Sequence, residues 1–270
     1  MVQPDHSPVR KAEKSRPPNI DNGQTYYNSS WGVLVQRRHI QASMYGLRDA
    51  SVAQRITLAA ISGGWVAMSW WLLFGRGLHA VGGWFGWTWL PGNAVRRAWL
   101  ASGFSVYYIR ILFTEFVFLK RGVSWSEVLT IATWILCIYV LLGISGGTNS
   151  SHPGLDVGFG VVLFLVGSLT NSYAEYARHV WKARPGNYGR LYTEGLFRYT
   201  RHPNYFGDLL SFSGLCLIAG AWVTAAVPLI MLAGFVFVNV PMLDSHLRDR
   251  YGEAFDEYAR RTRKLIPFLY

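Results

Sequence analysis

Apolar runs near 20 residues long alternate along this chain with short basic connectors, and the spacing of the runs predicts its elements. A spanning helix needs about 20 apolar residues. Four stretches meet that length, at about Ile56–Phe74, Ala98–Leu119, Ser126–Ser145 and Leu155–Tyr176. From Leu209 to Leu243 there are 35 residues without a charge. That is too long for one span, so it predicts a tight hairpin of about Leu209–Trp222 and Ala226–Leu243, turned near Gly220-Ala221-Trp222 and Pro228. The fold class that follows is all-α: a polytopic membrane bundle of about six transmembrane helices with a C-terminal helical hairpin. Between the first two spans, Gly77–Pro91 holds Trp84, Trp87 and Trp89. Such aromatics favour the headgroup level, which predicts an interfacial or re-entrant loop.

Residues 1–54 are polar, and 1–24 mix Pro, Lys, Arg, Asp, Asn and Gln without an apolar core. They predict a disordered cytosolic segment rather than a signal peptide, with a short interfacial helix near Trp31–Gln36. Organisation follows as three parts: 1–54, a pair of N-terminal transmembrane helices over 55–123, and a C-terminal membrane domain over 124–270.

Composition sharpens this picture. Of 270 residues 51% are hydrophobic and 12 are Trp, yet the mean hydropathy is only +0.16, because apolar blocks and basic connectors offset each other. The net charge of +11 sits mainly in those connectors, where it sets topology and attracts anionic headgroups; this accounts for the charge without nucleic acid. Arg178, Lys182, Arg184, Arg190, Arg198 and Arg201 separate the fourth span from the hairpin, and Arg248, Arg250, Arg260, Arg261, Arg263 and Lys264 follow it. Six spans then put the N-terminus, the 177–206 connector and the C-terminus on one cytosolic side. Arg76, Arg96 and Arg97 run against that pattern. The host membrane is a bacterial inner membrane or the endoplasmic reticulum. In the latter, Asn149-Ser150-Ser151 is a glycosylation sequon on the far side. Cys137 and Cys216 lie in apolar segments and read as buried hydrophobes, with no metal-ligand spacing.

Polar groups gathered at the mouth of a membrane hairpin are costly to bury and mark a candidate site. Gly195-Leu196-Phe197-Arg198-Tyr199-Thr200-Arg201-His202-Pro203-Asn204-Tyr205-Phe206-Gly207-Asp208 is such a stretch. On the fourth span Asn171 and Glu175 lie four apart, and Lys182 follows seven later. One helical face would present amide, carboxylate and ammonium at successive turns. Flanking arginines suit an anionic or phosphate-bearing cofactor through bidentate donors.

These residues, with Arg184-Pro185-Gly186, Phe255-Asp256-Glu257-Tyr258 and Arg263-Lys264-Leu265-Ile266-Pro267-Phe268-Leu269-Tyr270, resemble the C-terminal domain of the steroid 5α-reductase family over about Ser124–Tyr270. The resemblance implies a membrane-embedded, NADPH-dependent reductase of a carbon–carbon double bond conjugated to a carbonyl, acting on a lipophilic steroid- or isoprenoid-like substrate. It implies that Asn171, Glu175, Lys182, Asn204, Asp208 and Tyr251 contact the dinucleotide, with Gly207 letting the backbone approach. It also makes 124–270 the cofactor side and 55–123 the substrate side. Arg201, His202, Tyr205 and Gly207 form a motif shared more widely, resembling that of sterol C14-reductases and isoprenylcysteine carboxyl methyltransferases.

The pattern departs from that family in places. Glu175, Lys182 and Asp208 stand where the steroid enzymes commonly carry Asp, Arg and Glu, and Leu243 and Leu247 fall where a basic residue and a histidine are expected. No Gly-x-Gly-x-x-Gly is present, so the cofactor would not sit on a Rossmann domain. The methyltransferases carry paired glutamates where this chain reads Leu243-Asp244, which leaves a SAM-dependent methyltransferase of a lipid or prenylated substrate as the alternative, followed by a non-catalytic sterol- or lipid-binding protein. At the substrate end the second span holds Tyr107, Tyr108, Arg110 and Glu115. Tyr108 and Glu115 project to nearly one side, and an intramembrane glutamate is a functional candidate by default. Glu115 and Tyr108 are therefore the expected catalytic pair, with Tyr107 as a substitute for Tyr108.

Overall fold

A computed structural model describes residues 51–270, so the expectations for most of 1–54 lie outside the described residues. Helix α1 (Val52–Phe74) is followed by a short α2 (Gly77–Trp84), then α3 (Ala94–Phe113), α4 (Trp125–Thr148), α5 (Leu155–Ala183), α6 (Pro203–Ala219), α7 (Ala226–Gly234), α8 (Val240–Tyr251) and α9 (Glu253–Arg261). Among the described residues no strand forms, and the one pairing outside helices is an isolated bridge between Thr200 and Arg263. Among the described residues, five helices are long and apolar enough to cross a membrane: α1, α3 with its extension to Phe118, α4, α5, and the run Trp222–Tyr251 that contains α7 and α8. The protein is an integral membrane protein. The fifth expected span, α6, has 17 residues, or roughly 25 Å at 1.5 Å per residue. It runs from the 177–206 connector to the opposite end of the bundle, where its Ile218 and Ala219 carbonyls accept from Arg96 and Asn149.

Local chemistry explains the ends. Asn93 caps α3 by accepting from the Val95 and Arg96 amides, and Ser124 caps α4 by accepting from the Glu127 amide, the Ser-x-x-Glu signature of a helix start. Pro203 opens α6, where its missing N–H costs nothing, and Gly220 closes it in the left-handed region at φ 69°. Two π-helical turns interrupt regular winding, Thr114–Phe118 after α3 and Phe235–Asn239 between α7 and α8. The carbonyls loosened at the first are collected by Arg55, which donates to the backbone oxygens of Glu115, Leu119 and Arg121.

The helical pairing differs from the expected hairpin. α6 lies closest along α5, not α7, because glycines at seven-residue spacing on both helices leave no side chain between the backbones. A Cβ on Gly167 would fall 2.4 Å from the Ser211 nitrogen, and one on Gly214 would fall 2.4 Å from the Gly160 oxygen. Small residues that let helices touch backbone to backbone are the usual glue in a bilayer. The opposite face of α5 exposes Leu155, Phe159, Val162, Leu165, Val166, Leu169 and Tyr173, an apolar stripe suited to contact with lipid.

The core joins α3, α4 and α6. Phe104 and Tyr139 stack at 4.1 Å, the Tyr139 hydroxyl donates to the Phe104 carbonyl at 2.9 Å, and Leu100, Leu142, Leu215 and Ile218 are buried around them. Arg96 and Arg97, which run against the charge pattern, are used internally. Arg96 is 2% exposed and donates to Asp156 at 2.6 Å and to the Ile218 carbonyl at 3.0 Å, while Arg97 donates to the Leu73 carbonyl at 2.7 Å. They clamp the end of the bundle opposite the 177–206 connector. Asn149 belongs to the same clamp, donating to the Ala219 and Gly220 carbonyls.

Candidate functional site

Helices α5 and α6 place the polar residues of the fourth span and the hairpin mouth against each other. Asn171 Nδ2 donates to the Asn204 carbonyl at 3.0 Å, and Asn204 Nδ2 donates to Glu175 Oε1 at 3.0 Å. Arg178, one turn on, pairs with the other Glu175 oxygen. The expected face of Asn171, Glu175 and Lys182 is thus a single face, with Arg178 added to it. Lys182 Nζ reaches the Tyr251 hydroxyl at 3.1 Å, so α8 closes over this end of α5.

Two clefts adjoin there and share Arg178 and Lys182. One, of about 490 Å³ counting its open mouth, is also lined by Arg201, His202, Asn204, Leu243 and Leu247. The other, of about 480 Å³, adds Glu175, His179 and Lys120. Leu243 and Leu247, noted in the sequence as departures, give the first cleft an apolar wall.

A buried anchor stands behind that cleft. Arg201 donates to Asp244 Oδ2 at 2.7 Å and Oδ1 at 3.3 Å and to the carbonyls of Ala259 and Thr262, and His202 Nε2 meets the same Asp244 Oδ1 at 3.0 Å. Side-chain exposure is 6% for Arg201 and 14% for Asp244. Burial pushes the His202 imidazole below its usual value, against the opposing pull of Asp244. Tyr205 stacks between His202 at 5.4 Å and Phe235 at 4.7 Å, which ties the anchor to the second π turn. Single-turn π segments recur at functional sites. Arg201, His202 and Tyr205 therefore hold the cleft's wall together with their own polar atoms largely engaged.

Gly207 and Asp208 depart from the roles expected of them. A Cβ on Gly207 would lie 2.6 Å from the Asn171 nitrogen and 2.7 Å from the Gly167 oxygen, so this glycine serves the approach of α5 to α6. Asp208 turns inward and pairs with Arg110 of α3 at 2.6 Å, with side-chain exposures of 21% and 11%. Asp208 lies one helical turn beyond Asn204, so α6 carries polar groups from the clefts into the bundle. Ser168 and Ser211 extend the line, 3.3 Å apart, with Arg110 3.5 Å from Ser168. Arg110 also stacks over Tyr107, whose ring packs edge-on against Phe212.

Glu115 and Tyr108 face another way. Tyr108 packs on α1, its hydroxyl 2.9 Å from where a Gly63 Cβ would stand. Glu115 is buried beside Arg55, whose guanidinium takes its backbone oxygen, and Glu115 Oε2 has no hydrogen-bond partner among the described residues. The two share a helical side as expected, but it is the α1 side, whereas Tyr107 and Arg110 occupy the side facing Asp208. Arg110, Asp244 and Arg178 are the site residues that sequence reasoning gave no role, and Tyr107 entered only as a substitute for Tyr108. The signals were present for two: Arg110 is a cation in the middle of an apolar span, and Asp244 is the first charge after the 35-residue uncharged run.

Residues 109–262 match the model of a family described as a protein of unknown function, DUF1295. Over 188 residues the chain is 26% identical to 3-oxo-5-alpha-steroid 4-dehydrogenase 2 of Rattus norvegicus, covering 67% of this chain and 69% of that protein. It is 36% identical over 111 residues to a probable O-methyltransferase of Ustilaginoidea virens, covering 40% of this chain and only 38% of that protein. The match to the mouse 3-oxo-5-alpha-steroid 4-dehydrogenase 1 is 31% identical and likewise spans less than half of it, 44%. A solved structure of the eukaryotic intramembrane Ras methyltransferase covers 91% of this chain and 87% of its own at a TM-score of 0.42 and 15% identity, a likeness too slight to bear on the site.

Proposed function

The chain belongs to the DUF1295 family, steroid 5-alpha-reductase-like, and from that premise we propose that it is a membrane-embedded reductase that uses NADPH to saturate a carbon–carbon double bond conjugated to a carbonyl in a lipophilic substrate. The observation that carries the reading is the pair of polar groups one turn apart on α6: Glu175, Asn204 and Asn171 at the paired clefts, and Asp208, Arg110 and Tyr107 inside the bundle. A reductase of this kind needs both groups, one for a water-soluble dinucleotide and one for a substrate that arrives from the bilayer.

The donor set suits a dinucleotide. Arg178 and Lys182 offer cations to phosphates at the shared edge of the two clefts. Glu175 is an acceptor for ribose hydroxyls and Asn204 a donor and acceptor. Lys182 with Tyr251 marks where α8 would close on the ligand. Arg201, His202, Tyr205 and Asp244 set the wall rather than touch it, and Asp208 aims Arg110. Bound NADPH supplies the hydride. Tyr107 and Arg110 supply what the substrate end requires, hydrogen-bond donors in a low-dielectric setting for a carbonyl oxygen that gains negative charge. Both ends of the chain lie on the cytosolic side in this reading.

The test is NADPH oxidation by purified protein in nanodiscs with a panel of lipophilic enones. Turnover with at least one enone is expected, falling roughly 100-fold or more in Tyr107→Phe or Arg110→Met with NADPH affinity kept. Equal turnover in both variants would move the substrate end back to Glu115 and Tyr108. A SAM-dependent transferase is the second reading, favoured by the fungal relative's name; SAM binding without NADPH binding would establish it.

A further inference from the structure

On the outer side of α5 and α6, a third groove, of about 690 Å³ counting its open mouth, lies between Thr170, Leu196, Tyr199, Pro203, Phe206 and Phe268. None of these residues enters the proposed chemistry. We infer that this groove binds an anionic phospholipid, with an acyl chain lying in the groove and the phosphate held by Arg198, Arg263 and Lys264.

Three observations converge on that occupant. The first is continuity with the bilayer. Thr170 follows directly on the exposed stripe of α5 that includes Leu165, Val166 and Leu169, so the groove's wall is an extension of a lipid-facing surface. A chain already packed on that stripe can enter without crossing water.

The second is charge at the mouth. The segments around Thr200 and Arg263 run side by side: the Arg201 amide donates to the Arg263 carbonyl at 2.8 Å, and Thr200 Oγ1 donates to the Leu265 carbonyl at 2.9 Å. That pairing brings Arg198, Arg263 and Lys264 to the segments that form the rim, and all three are exposed. Among the described residues none of the three forms an ion pair, and Lys264 lies over the Tyr270 ring at 5.2 Å. Exposed cations beside an apolar groove at a membrane surface complement a lipid phosphate.

The third is a strained turn. Phe268 has φ 65°, the one non-glycine residue in the left-handed region among the described residues. The turn is fixed by the Leu265 and Ile266 amides, which both donate to the Tyr270 carbonyl at 2.7 and 2.8 Å. It presents Phe268 and Leu269 at 78% and 75% exposure, with the Phe268 ring 5.7 Å from Tyr199. A backbone held in an unfavourable region persists only where the surroundings over-determine it. Here it aims two large apolar side chains outward beside the exposed cations, the arrangement that seats a segment among headgroups and upper acyl chains.

The experiment is native mass spectrometry of the full-length protein, delipidated in mild detergent and titrated with phosphatidylglycerol or phosphatidylcholine of the same acyl chains. Phosphatidylglycerol should be retained on the order of 100-fold more strongly, since each of the three basic residues near the surface contributes about a fivefold preference for anionic lipid. Arg198→Gln/Arg263→Gln/Lys264→Gln should erase the preference and leave phosphatidylcholine binding unchanged. Thr170→Trp, which fills the groove, and Phe268→Ser, which leaves it open on one side, should each lower retention of both lipids at unchanged thermal midpoint. Equal retention of the two lipids by the wild type would overturn the inference. So would retention by both Thr170→Trp and Phe268→Ser equal to that of the wild type. Because no arm involves NADPH or SAM, the outcome is independent of the proposed reaction.

Discussion

Removing the Asp244 carboxylate should unlock the wall of the cleft more than any other single change. Asp244 accepts from Arg201 through two nitrogens and from His202 through one, and the Arg201 side chain is 6% exposed. In Asp244→Ala that guanidinium keeps its bonds to the Ala259 and Thr262 carbonyls but loses its counter-charge. Stranding one partner of a buried pair costs about 3–5 kcal/mol. At roughly 2–4 °C per kcal/mol for a protein of this size, the thermal midpoint should fall by about 10 °C. The assay is a thermal-shift measurement in a single detergent, with monodispersity checked before heating. Asp244→Asn, which keeps the shape and part of the hydrogen bonding, should fall less. The double change Arg201→Met/Asp244→Leu should recover much of the loss, because a buried pair replaced as a whole by apolar groups is often neutral. If Asp244→Ala melts within about 2 °C of the wild type, the anchor does not hold the cleft and the roles given to Arg201, His202 and Asp244 fail together.

Other expectations follow from the same geometry. Gly167→Leu should lower stability by about 3 kcal/mol or more, seen as lost expression or early melting, because even its Cβ would meet Ser211 at 2.4 Å; a normal melt would refute the close pairing of α5 with α6. His202 is held neutral, its folded value lying below the unfolded value of about 6.5. Its contribution is therefore complete above about pH 6.5 and lost as pH falls from there through the folded value. His202→Asn should flatten that part of the stability profile, and an unchanged acid limb would assign it to another group. Single cysteines at Ser150 and Tyr188 should label from opposite faces of sealed vesicles, and labelling of both from one face would reject the topology.

How much could be read from the sequence divides by range. Apolar runs located the crossing helices closely, since length and hydropathy decide insertion residue by residue. Their ends were less legible: α5 continues to Ala183 and α8 to Tyr251, past the point where hydropathy falls, because these turns are supported by packing and ion pairs outside the hydrocarbon. The pairing of α5 with α6 was missed although its signal, Gly160, Gly167, Gly207 and Gly214, stood in the sequence at matched seven-residue spacing. Site residues separated by one or two helical turns, such as Asn171 and Glu175, were placed correctly on one face. Those that meet across more than 40 residues were not. Arg201 with Asp244 and Arg110 with Asp208 depend on helix order and rotation, which periodicity alone does not fix. Glu115 and Tyr108 share one side as expected, and that side meets α1 rather than Asp208 for the same reason: one helix gives relative angles, and only its neighbours say what each angle meets.

The central claim is that the clefts around Arg178 and Lys182 hold a nicotinamide dinucleotide, and equilibrium binding to purified protein tests it most directly. NADPH should bind saturably, with NADP+ competing and SAM not. Asn204→Ala should weaken NADPH roughly 5- to 150-fold, the loss of about 1–3 kcal/mol that follows when a buried polar group is left without its partner, while its thermal midpoint without ligand stays near that of the wild type. Saturable SAM binding with no NADPH binding, or NADPH affinity unchanged in a folded Asn204→Ala variant, would contradict the account.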